Sequence, residues 1–368
     1  MSFVIAPTAF KGTLTPRAAA EAIAAGVGRR YPDAQLEMVP ISDGGDGFLE
    51  CLEGPLRAAR RSVLVRGPVH TPVSASYGIS GSGVAIIEAA LAVGLARVPP
   101  SSLDAMGASS GGLGELLAEA RQAGAREVLV GLGGSASTDG GTGMARALGY
   151  RFLDAAGIEL PEGGGYLQRL ARIDPSGFDP AWLLLPIRVA CDVDNALLGP
   201  AGSAASYGPQ KGASGDQVRR LEEGLGRLAE AIRSDLGVDV TAMPFAGSAG
   251  GLGAGLAAFL GAALEPGAAL VIDHVGLAQR LSAATAMVTG EGRLDAQSLH
   301  GKAPVQAGRL ARRAGVRSVA LVGSVGEGWE ACLGDAFDDV VPIPAAAGVD
   351  GSRSAAERLL AAAELLDL

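Results

Sequence analysis

Short apolar runs that end abruptly in glycine-flanked charges recur along this chain, and that pattern constrains its fold more than any other feature. Five such clusters stand out: Phe10-Lys11-Gly12, residues 42–47 with Asp43 and Asp46, residues 131–143 with Gly133, Gly134, Ser135, Ser137 and Asp139, residues 191–195 with Asp192 and Asp194, and residues 290–295 with Glu291, Arg293 and Asp295. Charged side chains set among glycines are poor core material. They suit loops that bring backbone N–H groups and carboxylates to an anionic ligand and its metal. Loops of that kind, placed directly after strands, imply an α/β protein that handles phosphate.

At 368 residues the chain exceeds what one hydrophobic core usually holds, so two domains are expected. Thirty basic residues face 39 acidic ones, a net charge of −9, and no Lys/Arg block marks a surface for nucleic acid. Cys51, Cys191 and Cys332 are widely spaced and form no CxxC or His pairing, which argues against a disulfide frame or a zinc site and fits the cytoplasm. The N-terminus enters a strand-like run without a basic leader, and Glu88 interrupts the apolar run 84–96, so neither a signal peptide nor a membrane span is expected.

Residues 3–6 read as a strand, and Thr15 before Pro16 reads as a helix cap with proline in the first turn. Residues 36–41 form the next strand and deliver the Asp43 cluster at its end. Further strands are expected at 84–87, 127–130 and 187–190. Val218, Leu221, Leu225, Leu228 and Ile232 form one apolar stripe on a helix over 216–236. A strand at 286–289, a helix over 304–314 and strands at 318–322 and 340–343 then resume a regular alternation. The two ends share one style and the middle differs. The expected architecture is therefore a discontinuous Rossmann-like parallel-sheet domain from residues 1–66 plus 285–368, with a second α/β domain at 67–284 inserted and the active site in the cleft between them. The glycine runs 110–114 and 249–253 resemble each other, but a likeness that short does not make a repeat.

Each cluster has a chemical reading and a plain structural one. Asp43 and Asp46 can share a hard cation such as Mg2+, or can form an Asx turn. Residues 131–143 can cradle phosphate with N–H groups and hydroxyls, or can supply glycines for close helix packing. Asp192 can accept a hydroxyl proton or bind metal, or can cap a turn. Lys211 and Gln210 offer a cation and an amide to a phosphate or carboxylate. Arg293 is shaped for bidentate contact with an oxyanion, with Glu291 and Lys302 close by in sequence, or the three can form a surface ion-pair network. His70, His274 and His300 fall in no ligand spacing and receive no role.

Taken in order, Phe10-Lys11-Gly12-Thr13-Leu14, residues 42–47, residues 131–136 with 139–141, residues 192–195, residues 208–212, and residues 290–295 with 301–304 resemble the bacterial type-1 glycerate kinase family. The resemblance spans residues 5 to about 325. It implies ATP-dependent phosphorylation of D-glycerate to 2-phosphoglycerate with Mg2+, on a two-domain α/β fold, and leaves a homodimer open. Phosphorylation to 3-phosphoglycerate, or a sugar-acid sensor without turnover, are the alternatives on the same fold. The galactokinase and homoserine kinase superfamily carries a phosphate loop resembling residues 131–136, but its other motifs are missing here. The chain departs from the family pattern in carrying Thr8 where an Asp is common, Asp46 for Glu, Phe48 for Thr and Thr138 for Asn. The implied site has Asp192, Lys11 and Arg293 as catalytic groups. Gly133, Gly134, Ser135, Ser137, Asp139, Lys211, Glu291 and Lys302 hold the cofactor, and Asp43 and Asp46 hold the metal.

Overall fold

The computed structural model describes residues 1–299, 301–343 and 354–368. Contacts divide the chain into two units, one of Met1–Pro55 with Gly267–Leu368 and one of Leu56–Pro266.

The first unit is built on five strands, β1 (Ser2–Pro7), β2 (Gln35–Met38), β11 (Ala286–Glu291), β12 (Arg317–Val322) and β13 (Asp339–Pro342). They pair in the order β13-β12-β11-β1-β2, every pair parallel. Phe3, Val4, Ile5, Val288 and Leu321 are wholly or almost wholly buried, as strands covered on both faces require. Helix Pro16–Arg30 leaves β1 with Thr15 accepting the Ala18 N–H at 3.2 Å and proline in its first turn, and packs Ile23 and Val27 into the core that also holds Leu359 of helix Ala355–Glu364. From β1 the chain runs outward to β2 on one side, whereas β11 starts a march through β12 to β13 on the other. The crevice beyond β1 and β11 is thus a topological switch point, the usual place for a ligand in such sheets.

The second unit contains β3 (Ala58–Arg66), β4 (Pro72–Ser80), β5 (Val84–Glu88), β6 (Glu127–Leu132), β9 (Ile187–Cys191) and β10 (Ala263–Pro266), paired in the order β10-β9-β6-β5-β4-β3. The first four in that order are parallel, and β3 and β4 close the edge as an antiparallel hairpin. A separate two-stranded ribbon joins β7 (Arg151–Leu153) to β8 (Arg172–Asp174). Helix Gly215–Ala231 opens on a capping box between Ser214 and Gln217 and buries the expected stripe at Leu221, Leu225 and Leu228. A π turn over Ile232–Leu236 ends it.

The unit boundaries fall earlier than the sequence indicates, at 55/56 and 266/267 rather than 66/67 and 284/285. Residues 58–66 pair over nine positions with β4 and so belong to the second sheet. Helices Gly267–His274 and Leu277–Leu281 pack against helix Ala303–Arg313 of the first unit. Both sheets are otherwise of the expected α/β kind.

Candidate active site

In the second unit β6 ends in the glycine loop 131–143, which is held in shape by one carboxylate. Asp139 is fully buried; its Oδ2 accepts the Ser110 N–H at 2.9 Å, the Ser110 hydroxyl at 2.8 Å and the Gly143 N–H at 3.0 Å, and its Oδ1 accepts the Gly141 N–H at 3.2 Å. Its oxygens are thus occupied in folding the loop, and it frames the surface rather than facing a ligand. Ser110 also receives the Met144 N–H at 2.9 Å, so the first glycine run seen in the sequence is one brace of the loop.

The second glycine run is the other brace. Ala249, Gly250 and Gly251 all have positive φ, and the Gly250 carbonyl accepts the Gly140 N–H at 3.0 Å. A Cβ on Gly250 would stand 2.0 Å from the Ser137 carbonyl oxygen and 2.9 Å from Lys211 Nζ, so only glycine permits this approach. The Ala249 carbonyl accepts the Ser135 hydroxyl at 2.8 Å.

Lys211 enters the same place from the turn Pro209–Lys211. Its ammonium donates to the Ser137 carbonyl at 2.5 Å and to Ser135 Oγ at 3.3 Å, and only 2% of the residue is exposed. Burial pushes its pKa down to about 8, against the charges of Asp139 and Asp192, which pull it up. In the same loop, the hydroxyls of Ser137 and Thr138 are fully buried and, among the described residues, lack a hydrogen-bond partner. Gly133 is buried and Gly134 exposed, with the Gly134 carbonyl accepting the Leu95 N–H at 2.7 Å. A buried cation, two unsatisfied hydroxyls and a glycine loop at the end of a parallel strand are what an anionic ligand requires.

Asp192 follows β9, the neighbouring strand, and is exposed together with Asp194. Its charge reaches both Lys211 and Tyr207. The loop carrying it is tied down on two sides: Ser248 donates to the Val193 carbonyl at 2.8 Å, and Tyr207 donates to Asn195 Oδ1 at 2.7 Å.

The first unit holds the other group. β1 leads into a tight turn closed by reciprocal Phe10–Leu14 backbone bonds of 3.0 Å, with Lys11 exposed at its tip. Thr8 donates its hydroxyl to the Gly290 carbonyl at 3.1 Å, tying β1 to β11 at the switch point. Asp43 is half-buried and Asp46 exposed in the loop beyond β2. A Cβ on Gly267 would lie 1.9 Å from the Asp43 carbonyl oxygen, so this loop rests directly on the start of helix Gly267–His274. Burial pushes the Asp43 carboxyl above the usual carboxylate range; the Gly45 N–H and Lys302 pull it back, and the Asp46 charge adds to the rise. Glu291 is only 6% exposed; burial raises its pKa, Lys302 and Ser298 oppose the rise, and Asp43 adds to it. Lys302 donates to Glu291 Oε2 at 3.1 Å and to the Arg293 carbonyl at 3.3 Å. Arg293 is exposed and reaches Asp295 at 3.2 Å.

The sequence-derived residues therefore gather into two constellations, one per unit: Ser135, Ser137, Lys211 and Asp192 about the glycine loop, and Asp43, Asp46, Glu291 and Lys302 about the switch point, with Lys11 and Arg293 on its adjoining loops. No group of three His, Cys, Asp or Glu side chains poised for a metal occurs among the described residues. His70 Nε2 donates to the Gly107 carbonyl at 3.2 Å and His274 Nδ1 to the Leu270 carbonyl at 2.8 Å, whereas His300 lies outside the described residues.

Parallel α/β sheets with a buried lysine beneath a glycine loop at one strand end are an architecture suited to phosphate chemistry. The glycerate kinase family pattern matches residues 3–365. A glycerate kinase of Halalkalibacterium halodurans is 43% identical over 338 residues, which cover 92% of this chain and 89% of that protein. The glycerate 2-kinase of Escherichia coli K12 is 44% identical over 326 residues, 88% of this chain and 86% of the relative. A crystal structure described as glycerate kinase 2 from Salmonella typhimurium LT2 superposes with a TM-score of 0.85 at 39% identity, covering 99% and 96% of the two chains. The chain is a kinase and belongs to the glycerate kinase family. No helix among the described residues is long and apolar enough to cross a membrane.

Proposed function

We propose that this enzyme transfers the γ-phosphoryl group of ATP to D-glycerate and forms 2-phosphoglycerate. The observation that carries the reading is the Lys211 ammonium, buried beneath a glycine loop whose Ser137 and Thr138 hydroxyls have no partner among the described residues. A cation held out of water is costly unless an anion arrives, and the polyphosphate of a nucleotide answers that need.

The second unit supplies the phosphate cradle. N–H groups and hydroxyls at Gly133, Gly134, Ser135 and Ser137, with Lys211, hold the transferred phosphates, and Asp139 keeps the loop in register. Asp192 accepts the proton of the attacking hydroxyl, since it is a carboxylate just past the end of a parallel strand and its charge reaches Lys211. The first unit carries further charge: Lys11 and Arg293 are its candidates for phosphoryl and carboxylate contact, and Lys302, bonded to Glu291 and to the Arg293 carbonyl, steadies the Arg293 loop.

Asp43 and Asp46 fit a magnesium ion. They are two acidic groups on one loop; burial, with the Asp46 charge adding to it, disfavours the ionised form of Asp43, a strain that a hard cation relieves. Two carboxylates also suit Mg2+, which commonly completes its shell with water and substrate phosphates. When bound, the ion neutralises phosphate charge during transfer. Cys51, Cys191 and Cys332 are buried thiols, in keeping with a cytoplasmic setting. The direct test is ADP release from ATP and Mg2+ upon adding D-glycerate; nucleotide binding with no glycerate-dependent ADP formation would leave a sensor and overturn the proposal.

A further inference from the structure

One short segment connects the two working groups of the second unit. Helix Ser203–Tyr207 passes at once into the turn Pro209–Lys211, so Tyr207 and Lys211 stand at the two ends of a five-residue stretch. That stretch is stiff. The Lys211 N–H donates to the Gly208 carbonyl at 3.0 Å, the Gly212 N–H to Pro209 at 3.0 Å and the Ala213 N–H to Gly208 at 3.0 Å.

At one end the Lys211 ammonium is fixed under the phosphate loop by Ser137 and Ser135. At the other, the half-buried Tyr207 donates its hydroxyl to Asn195 Oδ1 at 2.7 Å, and the Asn195 amide donates in turn to the Ala201 carbonyl at 2.7 Å and to Ser206 Oγ at 3.4 Å. Asn195 lies three residues beyond Asp192, in a loop that is also held from the other side by the Ser248 bond to the Val193 carbonyl at 2.8 Å and the Gly247 N–H bond to the Asn195 carbonyl at 3.0 Å. Both exposed carboxylates of that loop, Asp192 and Asp194, lie near enough to Tyr207 to act on it electrostatically.

We propose that Tyr207 is a positioning residue: its bond to Asn195 clamps the Asp192 loop to the segment that carries Lys211 and so fixes the proton acceptor relative to the phosphate-binding cation. The inference rests on the phosphotransfer reading, with Asp192 as the acceptor. Lys211 keeps its own anchors when the Tyr207 hydroxyl is lost, so the nucleotide is held as before. The Asp192 loop loses one link to the Lys211 segment, and misalignment of a reacting group is felt in turnover rather than in ground-state binding.

The test uses the full-length enzyme with Tyr207→Phe, Asn195→Ala and the double variant, measuring kcat, the KM for ATP and the thermal midpoint. A single neutral hydrogen bond supports an expected fall in kcat of about fivefold to tenfold for Tyr207→Phe. The KM for ATP is expected to stay within twofold, and the double variant to be no slower than Asn195→Ala, because Asn195→Ala already breaks the bond that Tyr207→Phe removes, together with the Asn195 bonds to Ala201 and Ser206. Should Tyr207→Phe fold poorly, Asn195→Ala carries the same kcat-against-KM comparison with the ring intact. An unchanged kcat in a stable variant overturns the inference, and so does a proportionate loss in kcat and rise in KM that accompanies a lower thermal midpoint, the mark of a merely structural role. Failure of the underlying reading is separate: the wild type itself would then release no ADP with glycerate.

Discussion

Replacing Lys211 by Met keeps the length of the side chain and removes its charge, and its consequences can be worked through from the burial. Lys211 is 2% exposed and its pKa falls from 10.5 to about 8, which corresponds to about 3 kcal/mol spent on keeping the ammonium in the fold at neutral pH. The bonds to Ser137 and Ser135 return part of that cost. Lys211→Met is therefore expected to leave the ligand-free protein as stable as the wild type or more so. A charge-assisted bond to a phosphate is worth about 1.5–3 kcal/mol, so ATP should bind between about tenfold and a hundredfold more weakly. Titration calorimetry with ATP and urea unfolding at pH 7 measure the two effects.

The pH dependence follows from the direction of the shift. The folded pKa is lowered, so below about pH 8 both the folded and the unfolded chain carry the proton and the penalty is constant. Above about 8 the folded chain releases its proton first, and this group then makes stability rise with pH until the unfolded lysine titrates near 10.5. ATP affinity moves the opposite way and declines as pH rises past about 8, since the free enzyme loses the cation the phosphates meet. Lys211→Met should abolish both trends. ATP affinity in the variant within twofold of wild type, or an unaltered pH profile, would refute the assignment.

Asp192→Asn is expected to lower turnover by about a hundredfold or more while ATP binding, measured by calorimetry, stays within threefold. Gly250→Ala places a Cβ 2.0 Å from the Ser137 carbonyl oxygen at a φ of +78°, and should cost at least about 2 kcal/mol in urea unfolding together with loss of nucleotide affinity. Asp139→Ala leaves four donors of the loop unmatched and should destabilise the protein by about 3 kcal/mol or more, read as a lower urea midpoint. Asp43→Asn should raise the magnesium concentration needed for half-maximal turnover.

Much of this organisation was written locally in the sequence. Residues 3–6, 84–87, 127–130, 187–190 and 286–289 are apolar runs whose burial on both faces leaves no choice but interior strands, and each precedes a loop with charge or glycine. The capped helix at Thr15 and the stripe from Leu221 to Ile232 obey local rules that tertiary packing did not override. The edge strand at 58–66 escaped because its Arg60, Arg61 and Ser62 face solvent and leave only the three apolar residues 63–65 to mark it; pairing with β4 defines its full length. That omission also displaced the first unit boundary.

The site was legible in its residue types and not in its division of labour. A carboxylate in a glycine loop looks alike whether it meets a ligand or its own backbone, and only the four bonds of Asp139 show the second. The runs at 110–114 and 249–253 looked alike because both are glycine-rich braces on one loop, a relation spanning more than a hundred residues that spacing cannot express. The clamp from Tyr207 to Asn195 had no local signal, since a tyrosine and an asparagine twelve residues apart carry no motif.

The most direct measurement is the 31P NMR spectrum of the product formed from ATP, Mg2+ and D-glycerate. The account predicts a new phosphate ester coupled to the lone methine proton of C2, a doublet. A triplet from coupling to the methylene of C3, or no ester at all, would contradict it.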